Sequence, residues 1–85
     1  MGWNALSMTR INVIYGNNRC GDCKRAKKFL DDRGYPYAWI DIDKSAEGRQ
    51  KVDELSGRIP TIVFDDGSIL VEPTNQELKK KLKER

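Results

Sequence analysis

The only two cysteines of the chain, Cys20 and Cys23, lie three residues apart in the stretch YGNNRCGDCKRAKKFL. The chain contains no histidine. Two close thiols without histidine leave three chemistries open: a reactive redox pair, half of a metal site, or a structural disulfide. The surrounding sequence has to decide among them.

The predicted start of a helix at the first cysteine favours the redox pair. Side chains three residues apart on a helix have Cβ atoms about 5–6 Å apart, so a small adjustment reaches the roughly 3.5–4.5 Å that a disulfide needs. If Cys20 is the N-cap, the free amides of the first turn, together with Arg19 and Lys24, favour its thiolate and lower its pKa. We therefore predict that Cys20 is the nucleophile. Cys23, on the inward face, is expected to stay protonated until it resolves a mixed disulfide.

Asp22, which lies between the two cysteines, has two interpretations. Its carboxylate opposes a thiolate, which predicts a higher Cys20 pKa than an uncharged residue would give. Alternatively, it is a favourable acidic residue in the first turn of a helix. The sequence leaves both interpretations open.

A metal site has weaker support. Structural zinc needs four ligands, usually cysteine and histidine, and this chain offers two cysteines. A catalytic Cys-His pair is excluded because histidine is absent. The alternative that stays open is an iron–sulfur cluster or a soft metal held between two subunits, which would make the protein a binding adaptor.

Hydrophobic patterns around the cysteines predict the order β-α-β-α-β-β-α. The predicted elements are a strand at Ile11–Gly16, a helix at Cys20–Arg33, a strand at Tyr37–Asp43, a helix at Ser45–Ser56, a strand in RIPTIVF, a strand at Ile69–Val71 and a helix that begins in PTNQEL. The first two strands are expected to be parallel, and the last two antiparallel through a turn at Asp66 and Gly67. This is an α/β fold with helices on both faces of a four-stranded mixed sheet.

Apolar spacing also predicts which helix positions face the core. These are Cys23, Ala26, Phe29 and Leu30 in the first helix, Ala46, Val52 and Leu55 in the second, and Leu78 and Leu82 in the third. Gly48 weakens the prediction of the second helix, because glycine is a poor helix former. Thr74 and Glu77 have the spacing of a capping box at the start of the third helix.

Length and charge limit the classes of function. The 85 residues, 38% of them hydrophobic, suffice for one small core. The net charge is +3, and no aromatic residues interleave with the basic ones, so a nucleic-acid surface is not expected. No run is long and apolar enough to cross a membrane, and the N-terminus lacks the apolar centre of a signal peptide. We expect a monomeric cytoplasmic domain at 9–85, after an N-terminal extension at 1–8.

Together, YGNNRCGDCKRAKKFL, RIPTIVFDDGSILVEPTNQEL and the order of elements resemble the glutaredoxin family of the thioredoxin fold, from about Thr9 to Lys83. The resemblance implies a thiol–disulfide oxidoreductase in which Cys20 attacks and Cys23 resolves. It also implies a cis Ile59–Pro60 peptide bond, with the proline packed against the active-site disulfide. The backbone of Ile59 would pair with the incoming thiol substrate like an added strand. No metal and no bound cofactor are expected.

Departures from the family pattern bear on the electron donor. Glutaredoxins that use glutathione usually carry lysine where this chain has Asn17 and threonine where it has Arg58. Their paired glycines and acidic residues before the last helix are replaced here by VEPTNQEL. The stretch FDDGSILVEPTNQEL is more similar to mycoredoxins and bacterial glutaredoxin-like proteins. The resemblance thus implies disulfide-containing proteins as partners, and as donor glutathione, mycothiol or another small thiol, or an NADPH-dependent thioredoxin reductase.

Charge and family position together give the candidate substrate-binding residues. Thr74 and Asn75 begin the third helix, whose free amides either form an anion site or are simply capped. Arg19 and Arg58 either hold an anionic thiol or are plain surface cations. The full predicted set is Asn17, Arg19, Arg58, Ile59, Pro60, Thr74 and Asn75, beside the catalytic pair Cys20 and Cys23.

Overall fold

The computed structural model describes residues 10–83, and these form a four-stranded sheet with three helices. The elements are β1 (Ile11–Gly16), α1 (Gly21–Asp32), β2 (Ala38–Asp41), α2 (Ala46–Leu55), β3 (Thr61–Phe64), β4 (Ile69–Val71) and α3 (Asn75–Lys81). The predicted order of elements and the α/β class are confirmed. The predicted extension at 1–8 lies outside the described residues.

The strands lie in the order β2-β1-β3-β4. β1 pairs with β2 in parallel, with Val13 opposite Ala38, and with β3 in the antiparallel direction, with Tyr15 opposite Thr61. The antiparallel hairpin of β3 and β4 is as predicted. Because Gly16 follows Tyr15, the end of β1 lies beside the residues that lead into β3, and this edge of the sheet carries the candidate site.

Two hydrophobic layers hold the helices on opposite faces of the sheet, as predicted. The layer under α1 and α3 consists of Ile11, Ile14, Ala26, Phe29, Leu30, Ile62, Phe64 and Leu78. The smaller layer under α2 consists of Val13, Tyr15, Ile42 and Val52. The predicted inward face of α1 is confirmed, since Cys23, Ala26, Phe29 and Leu30 are all buried. Leu78 is buried in α3, and Leu82 packs against the same layer.

The predicted inward face of α2 is wrong at one position. Ala46 is exposed, whereas Gly48 and Val52 are buried and Leu55 packs against the core. A Cβ at Gly48 would lie 2.6 Å from Cγ2 of Ile40, so glycine is needed for the close approach of α2 to β2. Ala46 lies two residues earlier, which is more than half a helical turn away and on the opposite side.

The strand β2 is shorter than the predicted Tyr37–Asp43. It ends at Asp41, because the Asp41 carboxylate accepts a hydrogen bond from the Asp43 amide at 2.9 Å and turns the chain toward α2. The Asp41 carbonyl also accepts from the Lys44 amide at 3.0 Å. No helix among residues 10–83 is long and apolar enough to cross a lipid bilayer.

Candidate active site

A short loop carries the chain from β1 into α1. The Asn17 side-chain oxygen accepts a hydrogen bond from the Arg19 amide at 3.0 Å, which closes a tight turn directly before the first cysteine. Cys20 then has extended backbone angles, φ −85° and ψ 117°, and is the N-cap of α1. The predicted position of Cys20 at the start of a helix is therefore confirmed.

The sulfur of Cys20 takes the place that a hydroxyl or carboxylate oxygen usually has at an N-cap. Its Sγ accepts a hydrogen bond from the Cys23 amide at 3.2 Å, and the side chain is half-buried. Sulfur is a weak acceptor, so the amides of this first turn are only lightly engaged. The other N–H groups of this first turn lie at the positive end of the helix dipole, beside the Cys20 side chain.

Cys23 has a different environment, although it lies only one turn away. It is fully buried, and both cysteines are free thiols. Burial is the main cause that raises the pKa of Cys23 to about 12, and the hydrogen bond with Cys20 and the charges of Cys20 and Asp22 contribute in the same direction. A backbone hydrogen bond from Asn17 acts in the opposite direction and lowers this pKa. The Cys23 thiol is therefore protonated at neutral pH, as the sequence predicts.

Gly16 makes room for the buried sulfur. A Cβ built on Gly16 would lie 2.5 Å from Sγ of Cys23 and 3.0 Å from the ring of Trp39. The last residue of β1 thus cannot carry a side chain without displacing the cysteine or the indole. No local pattern in the sequence signals this requirement, because it depends on the packing of α1 across the end of β1.

The loop before β3 contains the cis proline that the family resemblance implies. The Ile59–Pro60 peptide bond is cis, and Pro60 is buried. Two hydroxyl groups that the sequence analysis missed hold this loop: Oγ1 of Thr61 donates to the Arg58 carbonyl at 2.6 Å, and it lies 2.7 Å from Oγ of Ser56. Thr61 is fully buried in a β-branched run, and a polar residue in such a run is the one signal that could have identified it.

Both arginines of the predicted binding set are exposed and have a carboxylate partner. Arg19 pairs with Asp43 at 2.9 Å and its side chain is 80% exposed. Arg58 pairs with Glu72 at 3.3 Å and is 72% exposed. Exposed pairs of this kind contribute little to stability, so both guanidinium groups can exchange partners.

A capping box lies at the start of α3. Thr74 and Glu77 form the predicted capping box: the Thr74 hydroxyl accepts from the Glu77 amide at 3.1 Å, and the Glu77 carboxylate accepts from the Thr74 amide at 2.8 Å. The side-chain oxygen of Asn75 accepts from Arg25 of α1 at 2.8 Å. The structure thus brings Thr74 and Asn75 to the end of α3 that faces α1, with both side chains engaged.

The described residues contain no group of three or more histidine, cysteine, aspartate or glutamate side chains placed to bind a metal ion. The two thiols therefore lack further ligands of this kind from residues 10–83.

The order of elements, the cis proline before β3 and a CxxC pair at the start of α1 define a thioredoxin-like protein. A crystallised thioredoxin-like protein is similar over 86% of this chain and all of its own, with a TM-score of 0.74 and 28% identity. A glutaredoxin from Archaeoglobus fulgidus is similar over 88% of this chain and 87% of its own, with a TM-score of 0.69 and 26% identity.

Sequence comparison then gives the family. The glutaredoxin family model matches residues 12–69. A Mycobacterium tuberculosis protein provisionally named a glutaredoxin is 33% identical over 78 residues, which cover 88% of this chain and 93% of that protein. The glutaredoxin-like protein NrdH of Lactococcus lactis is 36% identical over 64% of this chain and 76% of its own. The chain belongs to the glutaredoxin family.

Proposed function

We propose that this protein is a dithiol–disulfide oxidoreductase in which Cys20 attacks the substrate and Cys23 resolves the intermediate. The observation that carries the proposal is the contrast between the two thiols. Cys20 is half-buried at the open end of α1, whereas Cys23 is fully buried and its pKa is raised to about 12. A nucleophile must be accessible and ionised, and a resolving thiol must be close and held in reserve.

The reaction has two exchange steps that balance in sulfur and electrons. The Cys20 thiolate attacks one sulfur of a substrate disulfide, forms a mixed disulfide and releases the other substrate sulfur as a thiolate. Cys23 then loses its proton and attacks Sγ of Cys20, which expels the second substrate thiolate and leaves a Cys20–Cys23 disulfide. The substrate gains two electrons, and the cysteine pair loses two.

The proposed substrates are protein disulfides and mixed disulfides between proteins and small thiols. The backbone of Ile59, beside Pro60, is the proposed pairing edge for the substrate chain, and Asn17, Arg19 and Arg58 are proposed to contact it. Thr74 and Asn75 are proposed to contact an anionic group of a small thiol. We propose that glutathione, mycothiol or another small thiol, or a thioredoxin reductase with NADPH, returns the pair to the dithiol form. The protein would act as a cytoplasmic monomer.

Alkylation of the folded protein tests the assignment of the two thiols. A pKa of about 12 leaves about one Cys23 thiol in ten thousand ionised at pH 8. Iodoacetamide is therefore expected to modify Cys20 and to leave Cys23 intact until the protein is unfolded in urea, as peptide mass spectrometry would show. Equal modification of both thiols in the folded protein, or a Cys20 rate no higher than that of free cysteine, would overturn the assignment.

Two coupled assays test the reaction and its donor. One supplies glutathione and glutathione reductase, and the other supplies thioredoxin reductase, each with NADPH. Reduction of a protein disulfide by wild-type protein, and its loss in Cys23→Ser, would support the dithiol route. Activity of Cys23→Ser equal to that of wild type on protein disulfides would contradict a resolving role.

A further inference from the structure

Arg25 links α1 to the start of α3 by three contacts of one guanidinium group. Nη1 donates to Oδ1 of Asn75 at 2.8 Å, and Nη2 donates to the Pro73 carbonyl at 2.9 Å. Nη2 also lies 3.3 Å from Oδ1 of Asp22, one turn earlier on α1. The Arg25 side chain is 35% exposed, so the link lies partly inside the protein.

The geometry indicates which contacts fix the guanidinium group. The two bonds to the α3 side are the shorter ones, and their acceptors belong to a segment 48 and 50 residues away in sequence. Pro73 is itself fully buried. An exposed pair at i, i+3 would order neither partner by itself. Here the bonds to Asn75 and Pro73 hold the Arg25 guanidinium in place, and the Asp22 carboxylate pairs with it.

The charge of Asp22 acts on the resolving thiol. The charged or titratable groups that raise the pKa of Cys23 are Cys20 and Asp22, both at the start of α1. On the side of the sheet, the neighbours of Cys23 are Gly16, the Trp39 ring and the backbone of Asn17, and none of these groups titrates. Asp22 directly precedes Cys23 in the first turn of α1, so a thiolate on Cys23 forms near this carboxylate, and Arg25 is the cation that pairs with it.

We propose that Arg25 is a positioning residue: it holds the Asp22 carboxylate in an ion pair and so favours deprotonation of Cys23 when the mixed disulfide is resolved. The proposal rests on the proposed function, because it concerns the second exchange step. In that step the Cys23 proton leaves, Sγ of Cys23 bonds to Sγ of Cys20, and the substrate sulfur departs with the electron pair. Arg25 touches neither sulfur and acts through Asp22.

Stopped-flow reduction of dithiodipyridine, a neutral disulfide, separates the two steps. Each released thiopyridone absorbs light, so that the first phase reports attack by Cys20 and the second reports attack by Cys23. Arg25→Gln keeps a polar side chain but removes the charge. A rise of about half to one unit in the Cys23 pKa lowers the thiolate fraction about three- to tenfold. The higher nucleophilicity of a more basic thiolate offsets about half of this change on a logarithmic scale. The second phase should slow about two- to threefold at low salt.

The decisive measurement is the double variant Asp22→Asn/Arg25→Gln. If Arg25 acts by neutralising Asp22, removal of the carboxylate should restore the second phase to the wild-type rate. A merely structural loss of the link between α1 and α3 would not be rescued in this way. Asp22→Asn alone, a change at an exposed position, should speed the second phase.

Lys28→Gln is the matched control, because Lys28 is an exposed cation further along α1 that pairs with Asp32 at 3.0 Å and not with Asp22. It should leave the second phase within about 1.5-fold of wild type, which with the same offset corresponds to roughly a third of a pKa unit. An Arg25→Gln effect no larger than this, or a double variant as slow as Arg25→Gln, would overturn the proposal. Circular dichroism and the melting temperature of each variant show whether it is folded.

The experiment separates a failure of the proposed dithiol function from a failure of the proposed role of Arg25. Wild-type protein that releases no second thiopyridone would refute the proposed dithiol function itself. Two wild-type phases that do not respond to Arg25 and Asp22 would refute only the role of Arg25.

Discussion

The helices α1 and α3 pack on the same face of the sheet, yet their first turns are satisfied in opposite ways. At α3, an oxygen of Thr74 and a carboxylate oxygen of Glu77 accept hydrogen bonds in a complete capping box. At α1, the cap is the sulfur of Cys20, a weaker acceptor at 3.2 Å. The first arrangement gives the helix end strong oxygen acceptors, and the second leaves the amides of the helix end with only a weak sulfur acceptor.

The difference suggests that the N-cap of α3 serves helix stability, whereas the N-cap of α1 serves the proposed thiol chemistry. A hydroxyl at the α1 cap would be the better stabilising residue, since serine is among the preferred N-caps. A cysteine at this position is a weaker cap, and the thiol exchange proposed above accounts for its presence. Arg25 joins the two helix ends through its hydrogen bonds to Asn75 and Pro73.

The largest expected effect comes from giving α1 a hydroxyl N-cap, the type of cap that Thr74 provides for α3. Cys20→Ser places a hydroxyl at the N-cap and removes the nucleophile. Disulfide reduction should fall at least about a thousandfold, which corresponds to about 4 kcal/mol of lost transition-state stabilisation. The free energy of unfolding should stay equal or rise slightly, because serine is a good cap. Urea denaturation and the coupled assays measure the two quantities.

Cys23→Ser is the matched comparison for that variant. It should keep the first exchange with dithiodipyridine while losing the second. Substantial disulfide reduction by Cys20→Ser, or a marked loss of stability in it, would show that the sulfur at the cap has a structural role.

A second, smaller effect should follow from adding a methyl group beneath α1. In Gly16→Ala the new Cβ would lie 2.5 Å from Sγ of Cys23 and 3.0 Å from Trp39. Overpacking of this kind costs about 1–3 kcal/mol, which urea denaturation would measure. Gly21→Ala is the control, because a Cβ there meets nothing within 4 Å. If both alanine variants are equally stable, then Cys23 is not held by close packing against β1.

Local sequence signals were sufficient for the elements and for the position of the two cysteines at the start of α1. The order of the elements, the cap at Cys20, the capping box at Thr74 and the buried face of α1 follow from residues within one or two turns of each other. The prediction at Ala46 failed because a glycine that packs by its missing side chain leaves no mark in a hydrophobic pattern. Gly48 weakens the helix prediction, although its missing side chain is what lets α2 pack closely against Ile40 of β2.

Features formed between distant segments could not be predicted in this way. Arg25 bonds to Pro73 and Asn75, and nothing near Arg25 in sequence indicates these partners. The same holds for Gly16, which is constrained by a cysteine and a tryptophan that fold over it. Only the i, i+3 spacing of Asp22 and Arg25 was visible, and such a pair is common on exposed helices.

The smallest expected effects come from truncating the three N-caps to alanine, which compares them directly. Thr74→Ala and Ser45→Ala each remove an oxygen that accepts an amide hydrogen bond, at 3.1 and 3.0 Å. Each should lower the free energy of unfolding by about 1 kcal/mol. Cys20→Ala should cost less than either, because its sulfur is the weaker acceptor. Urea denaturation of the three variants in one buffer gives the ranking. A loss in Cys20→Ala as large as in Thr74→Ala would mean that the sulfur caps α1 as well as an oxygen does, and that the contrast between the two helix ends lies in their surroundings instead.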